Sequence, residues 1–121
     1  MTRTHPHSLR CISMMTGTSC DGIDGVIVDF AIQDETITHT VVEHVFMPFD
    51  AAYLAQAKDV IETQNLRSAF LLGQALSQHY VACVTKLTQQ RLAHDAFDTT
   101  PLSFIAVSGH TLFHQPPSSE Q

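Results

Sequence analysis

The first half of the chain alternates between apolar blocks and short polar segments. Residues 10–15, 23–30 and 36–46 are rich in β-branched and other apolar side chains, and segments with glycine or charged residues separate them. This pattern predicts three β-strands. Because only residues 16–22 lie between the first two strands, we expect an antiparallel hairpin with a long loop. Residues 1–9 are mostly polar and are predicted to form a flexible lead-in.

The spacing of apolar residues becomes helical after Asp50. Asp50 and Asn65 are predicted N-caps, the first for a helix over residues 51–62 and the second for a longer helix, because their side chains accept hydrogen bonds from a first helical turn. In the longer helix, residues at steps of three and four predict one buried seam. They are Leu66, Ala69, Gly73, Leu76, Tyr80, Cys83 and Leu87. Since glycine lowers helix stability, Gly73 is expected to allow close approach to a neighbouring element.

The remaining segments predict one more strand. Residues 94–101 are polar and end in Pro101, which closes the helix. Residues 102–107 are uncharged and rich in strand-forming side chains, as is typical of a central parallel strand. The whole pattern predicts an α/β fold with the order β-β-β-α-α-β, in which residues 10–121 form one domain and the last strand follows a helical crossover.

Composition narrows the classes of function. Lys and Arg number 6 against 12 Asp and Glu, and no basic stripe is present, which argues against a nucleic-acid partner. No apolar run of about 18 residues suits a membrane span, and the polar start does not resemble a signal peptide. We therefore expect no membrane partner and a cytoplasmic location. The three cysteines show neither disulfide nor zinc-site spacing, which favours free thiols.

The loop between the first two predicted strands concentrates residue types that bind phosphate. Residues 15–22 read Met-Thr-Gly-Thr-Ser-Cys-Asp-Gly. Glycines let backbone N–H groups approach an anion and take positive φ, hydroxyls donate to phosphate oxygens, and a carboxylate can hold magnesium. The same residue types form ordinary hairpin turns, and on their own they favour that simpler interpretation. No lysine follows as in a P-loop, so that motif is excluded.

A longer stretch favours phosphate binding over a simple turn. Residues 15–24 resemble the signature M-S-G-T-S-x-D-G-hydrophobic-D of the anhydro-N-acetylmuramic acid kinases, with one change, from Ser to Thr at Thr16. The resemblance implies that Asp21 holds Mg²⁺, directly or through water. It also implies a binding segment for the phosphates of ATP that consists of Gly17, Thr18, Ser19, Cys20, Asp21, Gly22, Ile23 and Asp24.

A second segment carries the same resemblance. Residues 105–116 are similar to the family pattern I-G-S-H-G-Q-T-hydrophobic-aromatic-H-x-P, but the family's His-Gly-Gln-Thr is Ser108, Gly109, His110 and Thr111 here. The resemblance implies that these four residues contact the sugar, with polar contacts altered at Ser108 and His110. From spacing alone, His110 and His114 are interpreted as two solvent-facing imidazoles rather than a metal pair, since no third ligand accompanies them.

The resemblance covers nearly the whole chain and implies a fold and a reaction. The fold is the actin-like ATPase (ribonuclease H-like) architecture, in which two lobes close on ATP and substrate. This chain would be an incomplete N-terminal lobe, truncated before the second lobe. The reaction transfers a phosphoryl group from ATP to O6 of 1,6-anhydro-N-acetylmuramic acid while water opens the anhydro bridge at C1. The product is N-acetylmuramic acid 6-phosphate, which belongs to cell-wall recycling. The resemblance also allows full-length relatives to be homodimers.

The resemblance also implies that no catalytic base lies in this chain. The family's aspartate base belongs to a downstream motif, and neither Asp95 nor Asp98 stands at a matching position. The 121-residue chain is therefore expected to be inactive alone. Two other interpretations remain open at this point: a truncated, non-catalytic nucleotide-binding fragment, and a regulatory actin-like module.

Overall fold

A computed structural model describes residues 7–17 and 21–110. In this part of the chain a mixed four-stranded sheet packs against two helices, which confirms the α/β class and the predicted order of elements. The elements are β1 (His7–Met15), β2 (Gly22–Gln33), β3 (Thr36–Pro48), α1 (Ala51–Thr63), α2 (Leu66–His94) and β4 (Phe104–Val107).

The sheet has the strand order β3-β2-β1-β4. β1 and β2 form the expected antiparallel hairpin, β2 pairs antiparallel with β3, and β4 runs parallel to β1. Parallel strands need a long crossover, and both helices lie within it, as predicted. β1 begins at His7, so residues 7–9, which the sequence pattern places in a flexible lead-in, pair with β2 instead.

The position of β4 corrects one prediction. An uncharged strand suggests the centre of a sheet, yet among the described residues β4 lies at the edge and pairs only with β1. All four of its residues are exposed. α2 packs mainly on β2 and β3, and the side chains of β4 stay exposed within the described part of the chain.

The two helices begin at the predicted caps. The side chain of Asp50 accepts from the backbone N–H of Tyr53 at 2.8 Å, and Asn65 does the same for Ser68 at 3.0 Å. Each bond satisfies an N–H group that the first turn leaves without a helical partner. Neither helix has an apolar stretch of the length that a membrane crossing needs, as far as the described residues extend.

The core lies between α2 and the sheet, where the helix comes closest to β2. A Cβ atom added at Gly25 would lie 2.6 Å from Cys83 Sγ and 3.1 Å from Leu87 Cδ1. Both side chains are fully buried, together with Ile12 on β1. The absence of a side chain at Gly25 therefore allows α2 to approach the sheet. Burial of apolar side chains between the helix and the sheet is the main source of stability in a small domain.

The predicted seam of α2 is confirmed in its second half and wrong at two positions. Leu76, Tyr80, Cys83 and Leu87 are buried, but Leu66 is 86% exposed and Gly73 is exposed as well. The fully buried residue of this turn is the neighbouring Leu72, which the predicted seam omits. The buried seam of α2 therefore begins at Leu72 rather than at Leu66.

Gly73 does not mediate a close approach, since a Cβ atom added there would meet nothing within 4 Å. We therefore expect Gly73→Ala to stabilise the chain by about 0.5–1 kcal/mol, because glycine in a helix interior costs that much relative to alanine. Urea denaturation followed by circular dichroism would measure the difference. A loss of stability would show that the position is tightly packed.

A network of charges centred on the buried Arg10 holds the C-terminal end of α2 to the sheet. Arg10 on β1 donates to both carboxylate oxygens of Asp29 on β2 at 2.7 and 2.9 Å, and to Asp98 beyond the helix at 3.0 Å. Hydrogen bonds from Thr100, together with Arg10, lower the pKa of Asp98 to about 2. Such paired charges fix the path of the chain between α2 and β4, because removing one partner leaves the other buried and uncompensated.

Glu43 on β3 is the second anchor of this helix end. Its buried carboxylate lies 2.8 Å from His94 Nδ1, accepts from Gln90 Nε2 at 2.6 Å, and is 3.5 Å from Arg91 Nη1. Burial alone would raise the pKa of Glu43, but the hydrogen bonds from His94 and Gln90 and the nearby positive charges lower it overall. A carboxyl group with a lowered pKa stabilises the fold only while it is ionised.

We expect acid to remove this contribution. The stabilisation is fully present above the unfolded-state pKa of about 4.3 and is lost as the pH falls through the lower folded-state pKa. Glu43→Gln should cost about 2 kcal/mol near pH 7, and the gap from the unchanged chain should narrow by pH 3. Urea midpoints at the two pH values test this, with the exposed Glu62→Gln as the matched control. A gap that stays constant would contradict the expectation.

Candidate functional site

The predicted phosphate-binding segment is divided between a loop and a strand. Among its described members, Gly17 follows β1 and Asp21 precedes β2, whereas Gly22, Ile23 and Asp24 are the first residues of β2 itself. The other three predicted members lie outside the described residues. They are Thr18, Ser19 and Cys20.

The two carboxylates of the segment have different surroundings. Asp21 is exposed next to the loop, and its backbone carbonyl accepts from Phe49 N at 3.0 Å. Asp24 projects from β2, where its side chain is 61% exposed and lies 3.5 Å from His44 Nε2. Asp21 is therefore the carboxylate at the loop, while Asp24 belongs to the surface between β2 and β3.

Gly22 is a glycine for reasons of packing. A Cβ atom added there would lie 2.5 Å from the backbone oxygen of Met47 and 2.7 Å from the ring of Phe46. Gly22 does not have positive φ, so it does not itself contribute a nest of that kind. What Gly22 provides is close contact between the start of β2 and the end of β3.

Two side chains at this end of the sheet point into the protein. Ile23 is 1% exposed and forms part of the hydrophobic core, so only its backbone remains available to a ligand. Thr16 is 4% exposed, and its hydroxyl has no hydrogen-bond partner within the described residues. A buried hydroxyl that lacks a partner costs free energy. Thr16 precedes the predicted binding segment and was not one of its members.

The second motif begins where β4 ends, next to the first motif. Val107 of β4 pairs with Met14 of β1, and Ser108 N donates to the Met14 carbonyl at 3.3 Å. The hydroxyl of Tyr80 on α2 donates to the carbonyl of Ser108. Because β1 and β4 are parallel, their carboxyl ends bring Ser108, Gly109 and His110 beside the loop that follows β1. Thr111 lies outside the described residues.

His110 is not the solvent-facing imidazole that its spacing suggests. It is partly buried, and its Nε2 atom shares a hydrogen bond with the hydroxyl of Tyr53 on α1. Burial lowers the pKa of His110, so the ring is neutral at neutral pH. His114, which was interpreted in the same way, lies outside the described residues. Within the described residues, no group of three or more side chains could hold a metal ion.

Four aromatic or imidazole rings connect the two motifs. The ring of Phe49 lies 4.1 Å from that of Tyr53 and 5.7 Å from that of His110, and His79 on α2 meets Tyr53 edge-on at 4.8 Å. Phe49 is also the residue whose N–H bonds to Asp21. The start of α1 therefore contacts both the loop after β1 and the segment after β4.

A groove of about 280 Å³ opens between α2 and the end of β4. Its lining consists of Ala69, Leu72, Gly73, Leu76, Ser77, Tyr80, Val107, Ser108, Gly109 and His110. A larger cavity of about 510 Å³ lies around Arg10 and Asp29, near the start of β1, and contains none of the predicted site residues. The smaller groove is therefore the candidate site, since it has apolar walls with a few polar groups at one end.

Comparison with known proteins identifies the family. The family model for anhydro-N-acetylmuramic acid kinase matches residues 9–121. Among relatives with that name, the proteins from Parasynechococcus marenigrum, Ralstonia nicotianae and Albidiferax ferrireducens are 28%, 32% and 34% identical over 113, 112 and 110 residues. These matches cover 92%, 90% and 88% of the chain but only 27%, 27% and 26% of the relatives. The chain spans about a quarter of their length, and it belongs to the anhydro-N-acetylmuramic acid kinase family.

Proposed function

We propose that this chain supplies the phosphate-binding loop and one wall of the sugar site of an ATP-dependent kinase. Its substrate would be 1,6-anhydro-N-acetylmuramic acid, and its product N-acetylmuramic acid 6-phosphate, formed in the cytoplasm during recycling of the cell wall. The observation that carries the proposal is the meeting of the two family motifs at one end of the sheet. Ser108 N bonds to Met14 O two residues before the loop begins at Thr16.

Phosphoryl transfer depends mainly on positioning and on stabilisation of charge. The loop between β1 and β2 would hold the phosphates of ATP through its backbone N–H groups and through the hydroxyls of Thr18 and Ser19. The segment after β4 would place the sugar beside them, in the groove closed by Tyr80. Parallel strands present both segments at their carboxyl ends, where ligands of open α/β sheets bind.

Magnesium suits the donor set at the loop. Mg²⁺ keeps several water ligands and needs only one or two carboxylates together with the phosphates of the substrate. Asp21 is exposed directly beside the loop and provides one such carboxylate. We propose that Asp21 holds the ion, directly or through water; when bound, Mg²⁺ would neutralise charge on the phosphate oxygens.

The candidate site needs a base for water attack at C1, and we propose that neither Asp95 nor Asp98 supplies it. Asp98 is bound to Arg10 and Thr100, and Arg10 lies about 17 Å along β1 from Met15, at 3.3–3.4 Å per residue. Asp95 lies at the same end of α2, 3.5 Å from Arg91. Neither aspartate is at the carboxyl ends of β1 and β4, so neither serves as a base in the candidate site.

A chimeric kinase tests the proposal. Residues 1–121 would replace the matching N-terminal 27% of the R. nicotianae relative, with the unmodified relative and the 121-residue chain alone as controls. The chimera should convert ATP and the anhydro sugar to ADP and sugar 6-phosphate, with ¹⁸O from water at C1. The chain alone should not. A folded chimera that binds ATP without phosphorylating the sugar would instead favour a nucleotide-binding module.

A further inference from the structure

The most specific polar contact at the candidate site joins two distant parts of the chain. The hydroxyl of Tyr53, in the first turn of α1, shares a hydrogen bond with Nε2 of His110, just after β4. Their rings are stacked, with centroids 5.5 Å apart and an interplanar angle of 27°. Tyr53 is only 3% exposed, so its hydroxyl is directed at His110 from within the core.

The surroundings of Tyr53 hold that hydroxyl in place. Asp50 caps the turn by accepting from the backbone N–H of Tyr53. The ring is enclosed by Phe49 at 4.1 Å and His79 at 4.8 Å, which come from the segment before α1 and from α2. A side chain fixed by three elements can orient its partner, since little rotational freedom is left to lose.

The chemistry of the pair selects one form of the imidazole. His110 is neutral at neutral pH, because burial lowers its pKa. A neutral imidazole carries one proton, on either Nδ1 or Nε2. When the phenol donates to Nε2, that nitrogen is the acceptor and the proton stays on Nδ1. A phenol is a stronger acid than a neutral imidazole N–H, so donation from Tyr53 to Nε2 is the favoured direction, and it would leave the donor of His110 at Nδ1.

We propose that Tyr53 is a positioning residue of the sugar site, which fixes both the ring orientation and the Nδ1–H tautomer of His110. This inference rests on the proposed function. The family pattern has glutamine at the position of His110, whose amide also offers an N–H donor. The contact from α1 gives the histidine a comparable donor for a hydroxyl or carbonyl of the sugar, and it links the sugar segment to the phosphate loop through Phe49 and Asp21.

Nitrogen-15 NMR of the chain tests the pair without any assay of activity. The His110 ring signals are assigned as those missing from His110→Gln. The unchanged chain should show a protonated Nδ1 and an unprotonated Nε2. Tyr53→Phe, which keeps the ring and its packing, should shift the ring toward the Nε2–H form. Identical tautomers in both chains, or an Nε2–H form in the unchanged chain, would overturn the proposal.

A double-mutant cycle in the chimeric kinase tests the role in sugar binding. Tyr53→Phe should raise KM for the sugar about tenfold, the effect of one lost hydrogen bond, and change KM for ATP and kcat less than twofold. In a His110→Gln background the same change should have almost no effect on KM, because the two residues act together. Equal effects in both backgrounds would show that Tyr53 only supports the fold, and would overturn the proposal.

The two measurements separate the failure of this inference from that of the proposed function. If the chimera without further substitutions does not phosphorylate the sugar, both the kinase function and the sugar-binding role are rejected. An active chimera whose KM does not respond to Tyr53→Phe would reject the positioning role alone.

Discussion

Replacing Asp21 with alanine should lower kcat of the chimeric kinase by about a hundredfold or more, the usual cost of removing an electrostatic contact to a transition state. KM for the anhydro sugar should change little. The physical reason is that a charge that holds Mg²⁺ beside the phosphates acts mainly where charge moves during transfer. Initial rates at several Mg²⁺ concentrations would measure the effect, and the variant should need more Mg²⁺ to reach half its maximal rate.

Asp59→Ala is the matched control for Asp21. Asp59 is an exposed carboxylate on α1, and its backbone oxygen accepts a hydrogen bond from the Thr63 hydroxyl. The Asp59→Ala substitution should leave kcat and the KM values for ATP and the sugar unchanged. If Asp21→Ala reduced sugar affinity as strongly as turnover, a general folding defect would be the better explanation.

Gly22→Val should destabilise the chain by about 3 kcal/mol, at the upper end of the usual cost of overpacking. The first added carbon alone would lie 2.5 Å from the backbone oxygen of Met47. That oxygen belongs to β3, which pairs with β2 at this point, so it cannot withdraw without opening the sheet. Urea denaturation would measure the loss, and Gly73→Ala is the comparison at a glycine with open space around it.

A small loss for Gly22→Val would contradict this account. It would mean that β2 and β3 separate easily at their ends. The glycine would then have to be explained by contact with a ligand rather than by packing.

Local chemistry made much of the fold predictable from the sequence. The caps at Asp50 and Asn65 are visible because a polar side chain precedes an apolar helical pattern, and both occur as predicted. β-branched residues likewise identified the strands, although β2 and β3 extend further than predicted, to Gln33 and Pro48. Caps and strand patterns depend on residues that are close together in the chain, so they can be predicted from the sequence alone.

Features that depend on distant residues could not be predicted in this way. Tyr53 and His110 are separated by 57 positions, and Arg10 and Asp98 by 88. The role of Gly25 depends on the side chains of Cys83 and Leu87 across the core. No local pattern encodes such pairs. The sequence therefore predicts a close approach at Gly73, whereas the structure has it at Gly25. For the loop at residues 15–24, the residue types alone favoured a simple turn, and only the resemblance indicated a binding site.

The pairing of β4 with β1 has a consequence for how the molecule folds. β1, β2 and β3 are joined by short connections, so their contacts form between near neighbours in the chain. β4 instead pairs with residues about 90 positions earlier, and closing a loop of that length costs more entropy and slows the step. During synthesis the β1–β2 hairpin and its loop emerge well before Ser108. The two walls of the candidate site are therefore made at different times, and the wall after β4 is completed only when the last strand reaches the first.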